Sequence, residues 1–141
     1  MAILAVTSHR EMERIAGIAW ETRDYRICLA NMTTEGFDAE SDVSDWDSVE
    51  ITDSAYAQET GTVAAGSYDS TTDLRYEIPI IAASFSADIA GSGYTATHYY
   101  MVLNDSGVDD PNILQLGTFQ PALTFAPGQT QTIQIQLVID D

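Results

Sequence analysis

The chain contains no lysine, and its five basic residues are all arginines, against 22 aspartates and glutamates. Its formal net charge is therefore −17 at pH 7. A surface of this charge repels the phosphate backbone of nucleic acids, so the composition argues against a protein that binds DNA or RNA. The same charge keeps many crowded copies in solution, and an acidic, salt-adapted host proteome is the alternative explanation.

Cysteine and long apolar runs are also scarce. The single cysteine, Cys28, has no partner in the chain, so no internal disulfide supports a fold of 141 residues. Its apolar neighbours in YRICLA predict a buried, inert thiol rather than a nucleophile. No run approaches the ~20 apolar residues of a membrane span. The opening MAILAVTSHR has no basic residue ahead of its apolar run, which argues against a signal peptide.

Recognised catalytic and metal-binding spacings are missing, because HExxH, GxSxG and CxxC do not occur. The two histidines, His9 and His98, are far apart in the chain. Carboxylates are densest between Asp38 and Asp53, but a calcium-binding loop that started at Asp38 would need glycine where Val43 stands. We therefore predict no enzymatic activity, no cofactor and no dedicated metal site. Opportunistic binding of Ca²⁺ or Mg²⁺ by this acidic loop is the alternative.

The remaining pattern predicts a mainly β protein. Every second residue from Ile133 to Ile139 is Ile or Leu, which indicates a strand with one buried face after the turn PGQT. Further strand-like runs lie at residues 25–30, 49–51, 56–63, 74–86, 94–103, 113–119 and 122–125. Gly, Asp, Ser, Asn and Pro separate them. Seven or eight short strands favour an antiparallel β-sandwich or flattened barrel in a single domain, residues 1–141.

Two strand-like runs carry more specific expectations. Proline cannot donate to a β-ladder, so Pro79 must lie at an edge, a strand start or a bulge, where one sheet gives way to another. In the run YTATHYY, simple alternation places Ala96, His98 and Tyr100 on one face and Tyr99 on the other. The second face would then offer Tyr99 as a contact residue.

The N-terminal segment, residues 1–26, is predicted to be the attachment side of the protein. Ser8 and Glu11 fit a capping box, and an apolar stripe at helical spacing follows up to Trp20. The segment holds four of the five arginines, so it is close to neutral, whereas the body, residues 27–141 with the acidic loop 31–48, is strongly negative. Interface candidates are Arg10, Met12, Arg14, Ile15, Trp20, Trp46 and Tyr99. The competing interpretation is a helix that closes its own β-core.

The order of these elements resembles small structural proteins of tailed-bacteriophage particles. The resemblance rests on the strand YRICLA, the acidic excursion and AYAQETGTVAAGSY. It continues through IPIIAASFSADIAGSGYTATHYYMVLN and LGTFQPALTFAPGQTQTIQIQLVI. Such proteins are described as tail-fibre-like, minor tail, or head decoration and cement proteins.

The resemblance implies a non-enzymatic virion protein that cements or decorates the capsid, or forms a head or tail appendage. It would act as a homo-trimer or another homo-oligomer, with capsid or tail proteins as partners, in the virion and, during assembly, in the host cytoplasm. The acidic composition and the lack of a long apolar run predict no nucleic-acid or membrane partner. The alternative is a receptor- or glycan-binding tail appendage in which exposed Tyr and Trp side chains stack on sugars.

Overall fold

A computed structural model of the chain describes residues 20–68 and 75–139. Within these ranges the chain forms ten β-strands and one short helix. The strands are β1 Asp24–Ala30, β2 Glu59–Thr62, β3 Ser67–Tyr68, β4 Tyr76–Glu77, β5 Ile81–Ser86, β6 Tyr94–Asp105, β7 Val108–Asp109, β8 Gln115–Phe125, β9 Thr130–Ile135 and β10 Val138–Ile139, and the helix is α1 Val43–Asp47. The predicted N-terminal helix lies outside the described residues, as do Arg10, Met12, Arg14 and Ile15.

The strands form three sheets, and every strand pairing is antiparallel. The largest sheet has the order β2, β1, β6, and β6 pairs in turn with β8 and, at its end, with β7. A three-stranded sheet has the order β10, β4, β3, and β5 pairs with β9 in a two-stranded sheet. The prediction of a mainly antiparallel β protein is thereby confirmed.

Pro79 lies between β4 and β5, where the three-stranded sheet gives way to the two-stranded sheet. The backbone N–H of Ile78, just before Pro79, donates to the carbonyl of Leu137 at 3.0 Å. The pairing of β4 with the C-terminal segment therefore continues up to the residue before the proline. Proline has no N–H to donate, and the ladder is interrupted where it stands. The predicted position of Pro79 at a strand boundary is confirmed.

The predicted alternation of side chains along β6 is wrong. The pairing of β6 with β8 shifts between Ala96 and His98. Ala96 and Tyr99 both belong to the larger core cluster, whereas Tyr100 belongs to a second cluster. An irregularity in a ladder moves the pleat by one residue, and side chains beyond it exchange faces.

Two apolar clusters lie on opposite faces of β1. The larger cluster collects side chains from all three sheets, including Ile27 of β1, Tyr76 of β4 and Phe85 of β5. The second cluster contains Cys28, because neighbouring residues of a strand point to opposite faces. Its cover on that face comes from α1, which buries Val43 and Trp46.

The acidic segment 31–48 was predicted to be a loop, and the structure places α1 inside it. Val43 and Trp46 are three residues apart and therefore lie on one side of the helix. Trp46 has no exposed surface, and its indole N–H donates to the carbonyl of Asp38 at 2.9 Å. The segment thus folds back on the sheet through its apolar residues.

Candidate functional site

The most densely bonded polar group in the described residues is Arg26 on β1, whose side chain is 8% exposed. Its Nε and Nη2 atoms donate to the two carboxylate oxygens of Asp109, each at 2.9 Å. Nη2 also donates to both carboxylate oxygens of Asp47 at 3.1 Å. One guanidinium group therefore ties β1 to β7 and to the end of α1, in the two-pronged geometry that arginine forms with carboxylates.

Two further side chains complete this cluster. The guanidinium carbon of Arg26 lies 5.8 Å from the ring centroid of Tyr100, within cation–π range. The Tyr100 hydroxyl donates to Asp47 at 2.6 Å, and Nη1 of Arg26 lies 3.0 Å from Sγ of Cys28. We call the five residues Arg26, Cys28, Asp47, Tyr100 and Asp109 the arginine cluster.

The protonation states in the arginine cluster follow from burial and pairing. Burial opposes the charge on Arg26, but its hydrogen bonds with Asp109 and Asp47 outweigh that effect and raise its pKa. The hydrogen bonds from Arg26 lower the pKa of Asp109. Burial raises the pKa of the Cys28 thiol to about 12 and also raises the pKa of Tyr100. At neutral pH the thiol and the phenol are therefore protonated, and neither is an activated nucleophile or base.

Beside the arginine cluster lies an open acidic cleft of about 320 Å³. Its lining consists of Asp42, Val43, Ser44, Asp47, Asp109, Asp110 and Pro111. Two of the four carboxylates, Asp47 and Asp109, already accept hydrogen bonds from Arg26. Across residues 20–68 and 75–139, no group of three or more His, Cys, Asp or Glu residues has the geometry to hold a metal ion.

The structure changes the interpretation of two predicted contact residues. Trp46, an interface candidate in the predicted acidic loop, has no exposed surface, because its ring is packed in the second cluster. Tyr99 is half-buried: its ring lies over Gly117 and beside Phe119, and its hydroxyl donates to Gln115 at 3.0 Å. Neither ring is an open platform for stacking on a sugar.

The other predicted residues in the described ranges also pack within the fold. Trp20 is half-buried against the larger core cluster. The ring of His98 lies 5.2 Å from that of Trp46, and burial lowers the pKa of the histidine. Its Nδ1 is 2.8 Å from the Thr97 hydroxyl. His98 therefore contacts the second cluster rather than a second catalytic group.

Two arginines that were assigned to the attachment segment bind the body of the same chain. Arg26 belongs to the arginine cluster, and Arg23 pairs with Asp105 at 2.7 Å. The distribution of charge along the sequence does not reveal these acidic partners. The available signal was the position of Arg26 inside the apolar run YRICLA, where a charged side chain needs a counter-ion if it is buried.

A second charge-poor region was also missed. No Asp, Glu, Arg or Lys occurs from residue 111 to residue 139, a range that includes β8, β9 and β10. Strand β5 is likewise uncharged. Cross-strand partners on β5 and β9 are Ala82 with Gln134, Ser84 with Thr132, and Ser86 with Thr130.

These cross-strand pairs form the outward side of the two-stranded sheet. Ala82, Ser84, Thr130, Thr132 and Gln134 are exposed, whereas the intervening Ala83, Phe85 and Ile135 point into the core. The hydroxyls of Ser84 and Thr132 are 2.7 Å apart, as are those of Ser86 and Thr130. We call this surface, formed by Ala82, Ser84, Ser86, Thr130, Thr132 and Gln134, the β5–β9 outer face.

Comparisons with protein-family models, with curated proteins and with solved structures found no match for this chain. In the described part of the chain, no helix has the length and apolar character that crossing a membrane requires.

Proposed function

We propose that the chain is a non-enzymatic structural component of a tailed-phage particle that decorates or cements the capsid, or a related head or tail appendage, through homo-oligomeric contacts. The identity of the particle comes from the sequence resemblance. The observation in the structure that supports an assembly role is the separation of charge between two parts of the fold.

Acidic residues concentrate around α1 and the β6–β7 connection. Asp42, Asp47, Asp109 and Asp110 line one cleft there, and only Asp47 and Asp109 are bonded to Arg26. Strands β5, β8 and β9 contain no charged residue. A subunit in a crowded array benefits from this division, because the acidic part keeps the array hydrated and the uncharged part approaches neighbours without repulsion.

We also propose that the three sheets pack as a flattened sandwich or barrel around the larger core cluster. The support is that Ile27, Phe85 and Tyr76, each from a different sheet, belong to that one cluster. Two antiparallel sheets that share one core are the usual way to bury one face of each.

The attachment segment of the proposal is narrower than the sequence indicated. Arg23 and Arg26 are bonded within the fold, so residues 1–20 are the part proposed to contact the particle. They carry Arg10 and Arg14 against Glu11 and Glu13, so this segment is close to neutral, whereas the rest of the chain is strongly acidic. Near-neutral charge there lowers repulsion toward an acidic lattice.

The test is sedimentation of the purified full chain with capsids of the phage that encodes it, prepared without this chain. We expect saturable binding with a fixed number of copies per capsid. Replacing Arg10 and Arg14 with Gln should weaken binding. Ala57→Glu with Ala65→Glu, at two exposed positions, is the control because it lowers the net charge equally. Absence of binding by the folded wild-type chain would contradict the proposed function.

A further inference from the structure

We propose that two copies of this chain associate through the β5–β9 outer face. The inference rests on the proposed function in one respect, since it identifies the surface that makes the homo-oligomeric contact. The partner is a second copy of the chain.

The charge of the protein selects this surface. Each copy carries a net charge of −17, so approach through the acidic cleft brings like charges together. Between Ile78 and Ala87 on one strand segment and from residue 111 to residue 139 on the other, no Asp, Glu, Arg or Lys occurs. Two copies that meet through the β5–β9 outer face bring no carboxylate of the face itself into the contact, and the next acidic residue along the chain, Asp88, lies just beyond the end of β5.

The shape of the surface also suits close contact. Its side chains are short, and the Ser84–Thr132 and Ser86–Thr130 hydroxyl pairs are already bonded to each other. Ordering short side chains costs little conformational entropy on binding. Ile80, 58% exposed, precedes β5 and Ile89, 83% exposed, follows it, so large apolar side chains flank the strand at both ends.

The strand pairing gives a further reason for association. Among the described residues, β5 has only β9 as a strand partner, and β9 has only β5. A two-stranded sheet is marginal alone, and here only its inner face packs on the core. A second copy that packs against the β5–β9 outer face covers the other face of this sheet with identical chemistry on the two sides.

The experiment is light scattering coupled to size exclusion on the full chain. We compare the wild type with Thr132→Glu, which places a charge at the centre of the face, and with Thr60→Glu, which places one on an exposed threonine of β2. We expect the wild type to associate and Thr132→Glu to weaken association by about tenfold or more, because like charges then meet across the contact. Thr60→Glu should associate as the wild type does.

Salt provides a second measurement that needs no variant. Raising NaCl from about 0.02 M to about 0.5 M screens the repulsion between acidic bodies, so association through an uncharged face should strengthen. Association that weakens with salt, or that Thr132→Glu leaves unchanged, would overturn the inference. A wild type that stays monomeric at tens of micromolar at both salt concentrations would do the same.

Capsid sedimentation separates this inference from the proposed function. A wild type that binds capsids while Thr132→Glu self-associates normally contradicts the interface and leaves the function standing. A wild type that self-associates through Thr132 and binds no capsid contradicts the function and leaves the interface standing. A monomeric wild type that loses capsid binding on Thr132→Glu assigns the face to the capsid and overturns association between copies.

Discussion

Replacing Arg26 with methionine should destabilise the protein strongly, although the change removes no apolar core residue. Methionine has a similar length but leaves Asp47 and Asp109 without their shared cation. Those two carboxylates draw α1 and β7 onto β1 through one guanidinium group. Their mutual repulsion would act at the place where the acidic segment meets the sheet.

The expected magnitude follows from the exposure of the partners. Removing one partner of a buried ion pair costs about 3–5 kcal/mol, because the other is left as an uncompensated charge. The side chains of Asp47 and Asp109 are 39% and 35% exposed, so water can rehydrate them after the change. We therefore expect a loss of about 3 kcal/mol, which is at the low end of that range. This corresponds to a fall in Tm of about 6–12 °C for a domain of this size.

The assay is urea unfolding followed by tryptophan fluorescence, with Arg26→Met, Asp109→Asn and the double variant as a thermodynamic cycle. Arg26→Lys is the matched control: it keeps the charge and loses the two-pronged geometry, so it should lie between wild type and methionine. A loss below about 1 kcal/mol for Arg26→Met would refute the reasoning, since that is the scale of a surface pair.

The same cycle has a pH signature. Hydrogen bonds from Arg26 hold the pKa of Asp109 below its ordinary value in the folded protein. Its contribution is therefore fully present above the unfolded pKa of about 3.9 and is lost as the pH falls through the lower folded value. Asp109→Asn should lose less stability than the wild type over this acidic range, and an identical loss would contradict the pairing.

Three other predictions concern single positions. Trp46→Ala should lower the free energy of unfolding by about 3–5 kcal/mol, and Trp46→Phe should lower it less, because the ring fills the second cluster. Urea unfolding followed by circular dichroism measures both variants. A Trp46→Ala variant as stable as the wild type would show that the ring is not part of the core. Cys28 should resist a thiol reagent at pH 8 in the native protein and react once urea unfolds the chain, because it is 0% exposed. Rapid labelling of the thiol in the native protein would contradict its burial. Gly117→Ala should lower the free energy of unfolding by about 1–3 kcal/mol, because a Cβ there meets the ring of Tyr99. Gly91→Ala is the control and should lower it less, because its Cβ would make only ordinary contacts. Equal thermal stability of the two variants would contradict the packing of Tyr99 over Gly117.

The strands that the sequence predicted well are those with a local signal. The run of residues 25–30 corresponds to β1, Asp24–Ala30, because its apolar and β-branched residues have no breaker among them. The runs 113–119 and 122–125 were predicted separately and form the single strand β8, Gln115–Phe125. Pro121 interrupts the sequence pattern there, but among the described residues β8 pairs only with β6, and proline is tolerated on such an edge strand.

The C-terminal strand shows the limit of a regular pattern. Alternation from Ile133 to Ile139 predicted one strand, and the structure has two, β9 and β10, with Gln136 and Leu137 between them. The side-chain amide of Gln136 donates to the carbonyl of Ile78 at 3.2 Å. A polar residue at an alternating position therefore serves a neighbouring segment, which periodicity alone does not reveal.

Features that depend on distant contacts were not predictable from the sequence. Helix α1 has five residues, too few for a helical period to stand out, and it is stabilised by burying Val43 and Trp46 on a sheet formed elsewhere in the chain. The ion pairs of Arg26 join residues 21 and 83 positions apart. The sequence shows that such charged residues are present, but it does not indicate which of them become buried together.

The most direct test of the assembly role is an electron cryomicroscopy reconstruction of the particle produced with this chain. The assembly role predicts repeated copies on the particle, with the β5–β9 outer face against a neighbouring copy and the cleft of Asp42, Asp47, Asp109 and Asp110 toward solvent. A particle that lacks the chain, or one in which the acidic cleft forms the contact between copies while the β5–β9 outer face is open to water, would contradict it.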